Sequence, residues 1–247
     1  MTNPARREAG RRRPATAPGL FVVGTDTGVG KTLVSCGLLR LAVEAGTPLL
    51  PFKPAESGCP GGRPQDAAAL RAAAQRPDLP LERICPFAFR PPVAPAAEAL
   101  ASGQTLTLPA LRRAARALSQ GAPLLVEGAG GLLSPYSARL TAADLALDLG
   151  LPVLLIARNA LGTINHTALA LAEIRRRGLP LLGLVLVNTQ PKRRIAAQKN
   201  PELIEALTGV RPDAIVPYFS DARPRRVARF LRLSGVGGRL LRKAGVA

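Results

Sequence analysis

Short, unbroken apolar runs recur along this chain, each followed by a stretch with helical spacing. Leu20–Val23, Pro48–Phe52, Pro123–Glu127, Pro152–Ala157 and Leu181–Val187 are such runs. None alternates polar with apolar, so none suits a sheet with one face in water. Continuous apolar strands belong to a parallel sheet covered on both faces. Between them, Lys31–Ala45, Gln65–Gln75, Pro109–Gln120, Thr141–Leu149 and Thr163–Arg177 read as helices. Thr141 is placed to cap its helix with Asp144 as the capping-box acid, and Gly178 closes the helix before it. Ala214–Val216 reads as a last short strand. This alternation predicts an α/β fold: a single domain over residues 19–247, with a doubly wound, mostly parallel sheet and helices on both faces; the Gly-rich run Gly24–Thr32 after its first strand makes it a P-loop domain. No internal repeat or interior linker divides it.

The P-loop assignment rests on Gly24-Thr25-Asp26-Thr27-Gly28-Val29-Gly30-Lys31-Thr32, which follows the first strand and opens the first helix. Glycines let backbone N–H groups converge on phosphate oxygens, and the helix N-terminus adds its dipole. Lys31 is expected to reach the β- and γ-phosphates, and the Thr32 hydroxyl to ligate Mg²⁺. The loop departs from GxxxxGK[ST] because Thr25 stands at the first glycine position, with a glycine one residue earlier.

Two further groups stand at strand ends, where open α/β sheets bind ligands. Glu127 ends an apolar run and enters Gly128-Ala129-Gly130-Gly131, as a carboxylate for the nucleotide's Mg²⁺. Lys53 follows the second strand within Lys53-Pro54-Ala55-Glu56-Ser57-Gly58, in a chain with only five lysines against 29 arginines. Asp66 opens a helix shortly afterwards, where an acid also suits the helix dipole.

The 247 residues carry a net charge of +18, which raises a nucleic-acid or membrane partner as a possibility. Neither is expected. The charge is concentrated at the two ends, aromatic residues make up only 3% of the chain, and no aromatics interleave with the arginine runs as a stacking platform requires. No apolar run is long enough to cross a membrane. Residues 1–18, rich in Arg, Pro and Ala, read as a disordered basic leader that could be trimmed without loss of activity. The Arg-rich segment 222–247, with Val227, Phe230 and Leu231 on one side, reads as a helix closing the domain. Cys36, Cys59 and Cys85 have no metal-ligand spacing and read as reduced thiols of a cytoplasmic protein.

Taken together, GTDTGVGKT at 24–32, KPAESG at 53–58, VEGAGG at 126–131 and LGTINH at 161–166 resemble the dethiobiotin synthetase family. Their order and spacing match it from about residue 20 to about residue 220. The resemblance implies an ATP- and Mg²⁺-dependent cyclo-ligase that joins 7,8-diaminopelargonate and CO₂ through a carbamate and a mixed anhydride. It implies that Thr27, Gly28, Val29, Gly30, Lys31 and Thr32 hold the triphosphate, and that Glu127, Gly128 and Gly130 flank the nucleotide. Thr32, Asp66 and Glu127 would form the metal site, Lys53 and Lys31 would act in catalysis, and Ser57 would lie near the diamine. Asn188 and Pro217 would meet the base. Gly162, Thr163, Ile164 and Asn165 would reach the substrate carboxylate from the second subunit of a homodimer.

The sequence departs from the family in three places. Some members carry Glu where Gly28 stands, a frequent His is Ala96 here, and the strand before Asn188 is one residue longer than the family's pattern leads one to expect. The competing reading is a partition- or septum-type regulatory ATPase. Such loops usually carry an early second lysine, and the run Thr25–Val29 has none. An amidotransferase of the cobyrinate type would need a glutaminase domain, for which the chain has no room.

Overall fold

The computed structural model describes residues 18–191, 195–221 and 223–246, with the side chains of 195–197 left aside. All of the leader except Pro18 lies outside the described residues. In chain order the elements are β1 (Gly19–Gly24), α1 (Lys31–Glu44), β2 (Leu50–Phe52), β3 (Ala55–Ser57), α2 (Gln65–Ala73), α3 (Leu81–Ile84), β4 (Phe87–Phe89), α4 (Pro95–Ala101), α5 (Leu108–Ser119), β5 (Leu124–Gly131), β6 (Pro135–Ser137), β7 (Leu140–Thr141), α6 (Ala142–Leu149), β8 (Val153–Arg158), α7 (Thr163–Arg176), β9 (Leu181–Val187), α8 (Ile195–Thr208), β10 (Ala214–Val216), α9 (Pro224–Leu233) and α10 (Val236–Lys243).

Six strands form one sheet in the order β10-β9-β8-β1-β5-β2, and every neighbouring pair is parallel. The pleat of β1 explains its unbroken apolar sequence. Phe21 and Val23 point into the core shared with α5, α6 and α7, while Leu20 and Val22 point into the core shared with α1, α9 and α10. Thr141 caps α6 with the full capping box expected of Asp144. The basic C-terminal segment closes the domain against α1, with Val227 and Leu231 buried, but as two helices. Gly235, in the left-handed region at φ 69°, turns the chain between them.

One strand differs from its expected form in a way that matters for the site. β5 does not stop at Glu127 but runs on to Gly131, with its register against β1 shifting between Val22 and Gly24. The glycines that follow Glu127 allow this extension. Gly131 passes so near the backbone that a Cβ there would stand 3.3 Å from the Thr25 carbonyl. Glu127 is therefore buried inside the sheet, beneath the loop that follows β1.

Candidate active site

The β1–α1 loop reaches α1 through Gly30, which caps the helix at φ 102°. A side chain there would be strained, and its Cβ would meet Val187 Cγ1 of β9 at 2.8 Å, so only glycine fits. Lys31 opens α1 and donates from Nζ to the Asp26 carbonyl at 3.0 Å, which folds it back over the loop. Burial, and then the neighbouring Lys53 ammonium, pull Lys31 down to about 8 against the opposing charges of Glu127, Asp66 and Asp26.

Behind the loop lies a buried ion cluster. Lys53 Nζ donates to Glu127 Oε1 at 2.7 Å and to Asp66 Oδ2 at 2.9 Å. Burial disfavours the Lys53 charge, but the two carboxylates outweigh it and hold the ammonium above the ordinary lysine value. The pull is mutual. Burial would raise Asp66, yet Lys53 keeps it below the usual aspartate range. Thr32 Oγ1 donates to the same Glu127 Oε1 at 2.8 Å, joining the phosphate loop to the cluster.

The second oxygen of Glu127, Oε2, is buried with no hydrogen-bond partner among the described residues. An unpaired buried carboxylate oxygen is costly unless a cation or water meets it. With the Thr32 hydroxyl and partly exposed Asp66, it makes a hard-oxygen donor set that fits Mg²⁺, an ion that usually completes its shell with phosphate and water. No cluster of three or more His, Cys, Asp or Glu suited to a metal occurs among the described residues.

A cleft of about 680 Å³ opens over this cluster, with Thr27, Lys31, Thr32, Lys53, Ser57 and Asp66 among its lining. Gly28, Gly30 and Gly130 line it too, as do Pro92–Pro95, next to the buried Ala96. Ser57 Oγ is buried with no hydrogen-bond partner among the described residues. The remaining expected residues stand apart. Asn188 follows β9 and its N–H donates to the Val216 carbonyl, beside Pro217 on the far flank of the loop. Gly162 caps α7, and Thr163 lines a separate recess of about 100 Å³ with Thr25, Asp26 and Arg158. Asn165 is exposed and Ile164 half-buried. The loop Gly162–Asn165 thus lies outside the cleft of its own chain.

Several supporting residues carry little sequence signal. Glu56 of β3, buried, accepts the Asp66 and Ala67 N–H groups at 2.8 and 3.0 Å. It caps α2 in place of Pro64, the residue at the N-cap position, which offers no side-chain acceptor, and so it sets where Asp66 stands. Ser134 Oγ accepts from Gly131 N, and Tyr136 Oη from Ala129 N, bracing the extension of β5. For Glu56 the sequence signal is slight: an acid between Ala55 and Ser57 in a strand of three residues.

This sheet order, with a phosphate loop on its central strand and charged groups at one flank, defines a P-loop α/β domain. The ParA family ATPase of Chlorobium tepidum shares that fold, with a TM-score of 0.51 at 15% identity over 93% of this chain and 98% of the other. The cell-division ATPase MinD of Pyrococcus furiosus does so as well, with a TM-score of 0.52 at 15% identity over 92% of this chain and 97% of the other. At such identities the likeness concerns the fold alone. A family model described as an AAA domain matches residues 18–226.

Sequence relatives are more specific. The ATP-dependent dethiobiotin synthetase of Anaeromyxobacter dehalogenans (strain 2CP-C) is 50% identical over 208 residues, covering 84% of this chain and 93% of its own. Those of Aromatoleum aromaticum and Bacillus licheniformis are 37% and 35% identical, each covering 87% of this chain and, respectively, 97% and 92% of their own. The chain belongs to the dethiobiotin synthetase family, whose members are ligases of biotin biosynthesis.

Proposed function

We propose that this chain uses MgATP to carboxylate 7,8-diaminopelargonate with CO₂ and close the ureido ring of dethiobiotin. The observation that carries the reading is Lys53. Its ammonium is buried, held charged between Glu127 and Asp66, and lies in the same cleft as the phosphate-loop groups Lys31 and Thr32. A fixed cation in a low-dielectric site favours a carbamate anion over its dissociation to amine and CO₂.

In this reading one amine of the diamine adds to CO₂ and releases a proton to water, and the carbamate anion rests against Lys53. A carbamate oxygen attacks the γ-phosphorus, and the bond to the ADP oxygen breaks. Lys31 and the loop N–H groups stabilise charge on the transferring group. The second amine then attacks the carbonyl carbon of the mixed anhydride, and phosphate leaves as the ring closes. Thr32, Asp66 and Glu127 would hold the Mg²⁺, which supplies charge neutralisation for the β- and γ-phosphates. Ser57, with its unpartnered hydroxyl, is suited to meet an amine. The cytoplasm is the proposed compartment, consistent with three buried free cysteines, and no helix among the described residues is long and apolar enough to cross a membrane.

The working unit in this proposal is a homodimer. Support comes from the exposed surface around the α7 N-terminus: Leu161, Leu133 and Leu169 are 85%, 50% and 63% exposed. Leu133, Leu169 and His166 line one recess. A second copy covering this face would bury the leucines and bring the segment Gly162–Asn165, with the first-turn N–H groups of Ile164 and Asn165, to the carboxylate of the partner's substrate; the Thr163 N–H is taken by the Ala160 carbonyl.

Incubation with diaminopelargonate, bicarbonate and MgATP should yield dethiobiotin, ADP and phosphate by mass spectrometry. ATP hydrolysis without dethiobiotin would favour the regulatory ATPase. Mixing a Lys53→Gln protein with a Thr163→Pro, Asn165→Asp protein should restore partial activity. No rescue despite subunit exchange would remove the shared site.

A further inference from the structure

On the flank away from the ion cluster, three asparagines from three elements join in a line. Asn200 of α8, 3% exposed, donates from Nδ2 to the Ala160 backbone carbonyl at 3.2 Å and to Asn159 Oδ1 at 3.0 Å. Asn159, just beyond β8 and also buried, donates from Nδ2 to Asn188 Oδ1 at 2.9 Å. Asn188 Nδ2 has no partner among the described residues.

The order of donors along this line is forced. A backbone carbonyl can only accept, so the part of the Asn200 amide facing Ala160 must be its NH₂. The same NH₂ faces Asn159, which must therefore present its oxygen there. That leaves the Asn159 NH₂ for Asn188, and Asn188 must answer with its own oxygen. One backbone carbonyl thereby sets the direction of three amides. An unsupported Asn side chain in water would turn over freely and serve donors and acceptors alike. Turning Asn188 here would set two NH₂ groups against each other and break a part-buried hydrogen bond.

We propose that Asn159 and Asn200 are specificity-determining positioning residues, which act through Asn188 so that the nucleotide base meets a fixed N–H donor and is selected for an acceptor such as purine N7. The inference rests on the reading of Asn188 as the contact to the base. It goes beyond that reading by naming the two buried residues that fix which way the Asn188 amide faces. Neither Asn159 nor Asn200 lines the cleft that holds Lys53, so their effect falls on nucleotide affinity and not on turnover at saturation.

The test compares calorimetric affinities for MgATP and its 7-deaza analogue, which lacks the N7 acceptor. The wild-type protein should bind the analogue about three- to tenfold more weakly, the range of one hydrogen bond. Asn159→Asp keeps an acceptor for Asn200 but offers Asn188 only oxygens. Asn188 must then turn its NH₂ inward and show its oxygen to the base. The preference for N7 should collapse to near unity, with turnover at saturating ATP unchanged. Asn159→Leu, which adds no buried charge, frees Asn188 to turn either way and should roughly halve the discrimination; it supplies the test if the aspartate variant melts early. Asn188→Ala separates the two layers. Unchanged ATP affinity in that variant would overturn the base contact and the relay with it. Weakened affinity in Asn188→Ala, with wild-type discrimination retained in both Asn159 variants, would leave the base contact standing and overturn the relay. A wild-type protein blind to the 7-deaza change would also overturn it.

Discussion

On the β5–β2 side of the phosphate loop the polar groups are charged: the Lys53 ammonium stands 2.7 Å from Glu127 and 2.9 Å from Asp66. On the β9–β10 side they are neutral: the amides of Asn188, Asn159 and Asn200, aligned end to end. Both flanks sit at the same edge of the same parallel sheet, and the charged one is tied to the loop by the Thr32 hydroxyl on Glu127. The difference matches what each would have to do. Moving a phosphoryl group onto an anion calls for fixed charge that does not have to reorganise. Recognising an uncharged base calls for direction, which amides supply without the desolvation cost of an ion. A buried ion cluster is hard to justify as a device for stability, since well-packed apolar residues of the same volume often serve as well. Its presence beside the phosphate loop marks the flank where charge would develop.

Lys31 sits with the charged flank: it bonds the Asp26 carbonyl of the loop and feels the charges of Lys53, Glu127 and Asp66. Lys31→Ala should lower turnover by about 10³-fold, of the order seen when a fixed oxyanion donor is lost. Near-normal dethiobiotin formation by that variant would remove the phosphate-loop assignment altogether.

Glu127→Gln and Asp66→Asn sharpen the charged flank. Each should raise the Mg²⁺ concentration for half-maximal activity by about tenfold, since a lost carboxylate leaves the ion fewer hard oxygens. A magnesium titration that is unchanged in both variants would dissolve the metal site. Smaller again is the effect of Glu56. Glu56→Ala leaves two N–H groups at the start of α2 without their acceptor, and should cost about 2 kcal/mol in denaturant unfolding. The amides of Asp66 and Ala67 should also exchange hydrogen faster than in the wild type, and Glu56→Gln should recover part of both losses. Unaltered exchange at those two amides would mean that Asp66 is held by something else.

Much of the charged flank could be read from the chain alone. Lys53 and Glu127 interrupt apolar runs near the strand ends, and a polar residue at such a place has few structural reasons to be there. The sheet was equally legible, because a strand buried on both faces leaves an uninterrupted apolar run. What escaped was whatever depends on a partner far along the chain. Glu56 finds its donors at Asp66 and Ala67, across the turn that leads to α2. The extension of β5 past Glu127 is a property of four small residues that read equally well as a turn. The asparagine line required α8, whose helical signal is interrupted by Pro201, and it required β8 and β9 side by side. The small pairs β3–β4 and β6–β7 have strands of two or three residues, too short for any periodic pattern.

The two-flank account is tested most directly by one protein, Lys53→Gln, measured for MgATP affinity by calorimetry and for turnover at saturating ATP and diaminopelargonate. Glutamine, one bond shorter, keeps a donor but removes the cation from between Glu127 and Asp66. The account predicts that ATP affinity stays within about threefold of the wild type while turnover falls by about 10²-fold or more. Lost nucleotide affinity with turnover at saturation unchanged would contradict it, because Lys53 would then belong to nucleotide binding and the charged flank would have no part in the chemistry.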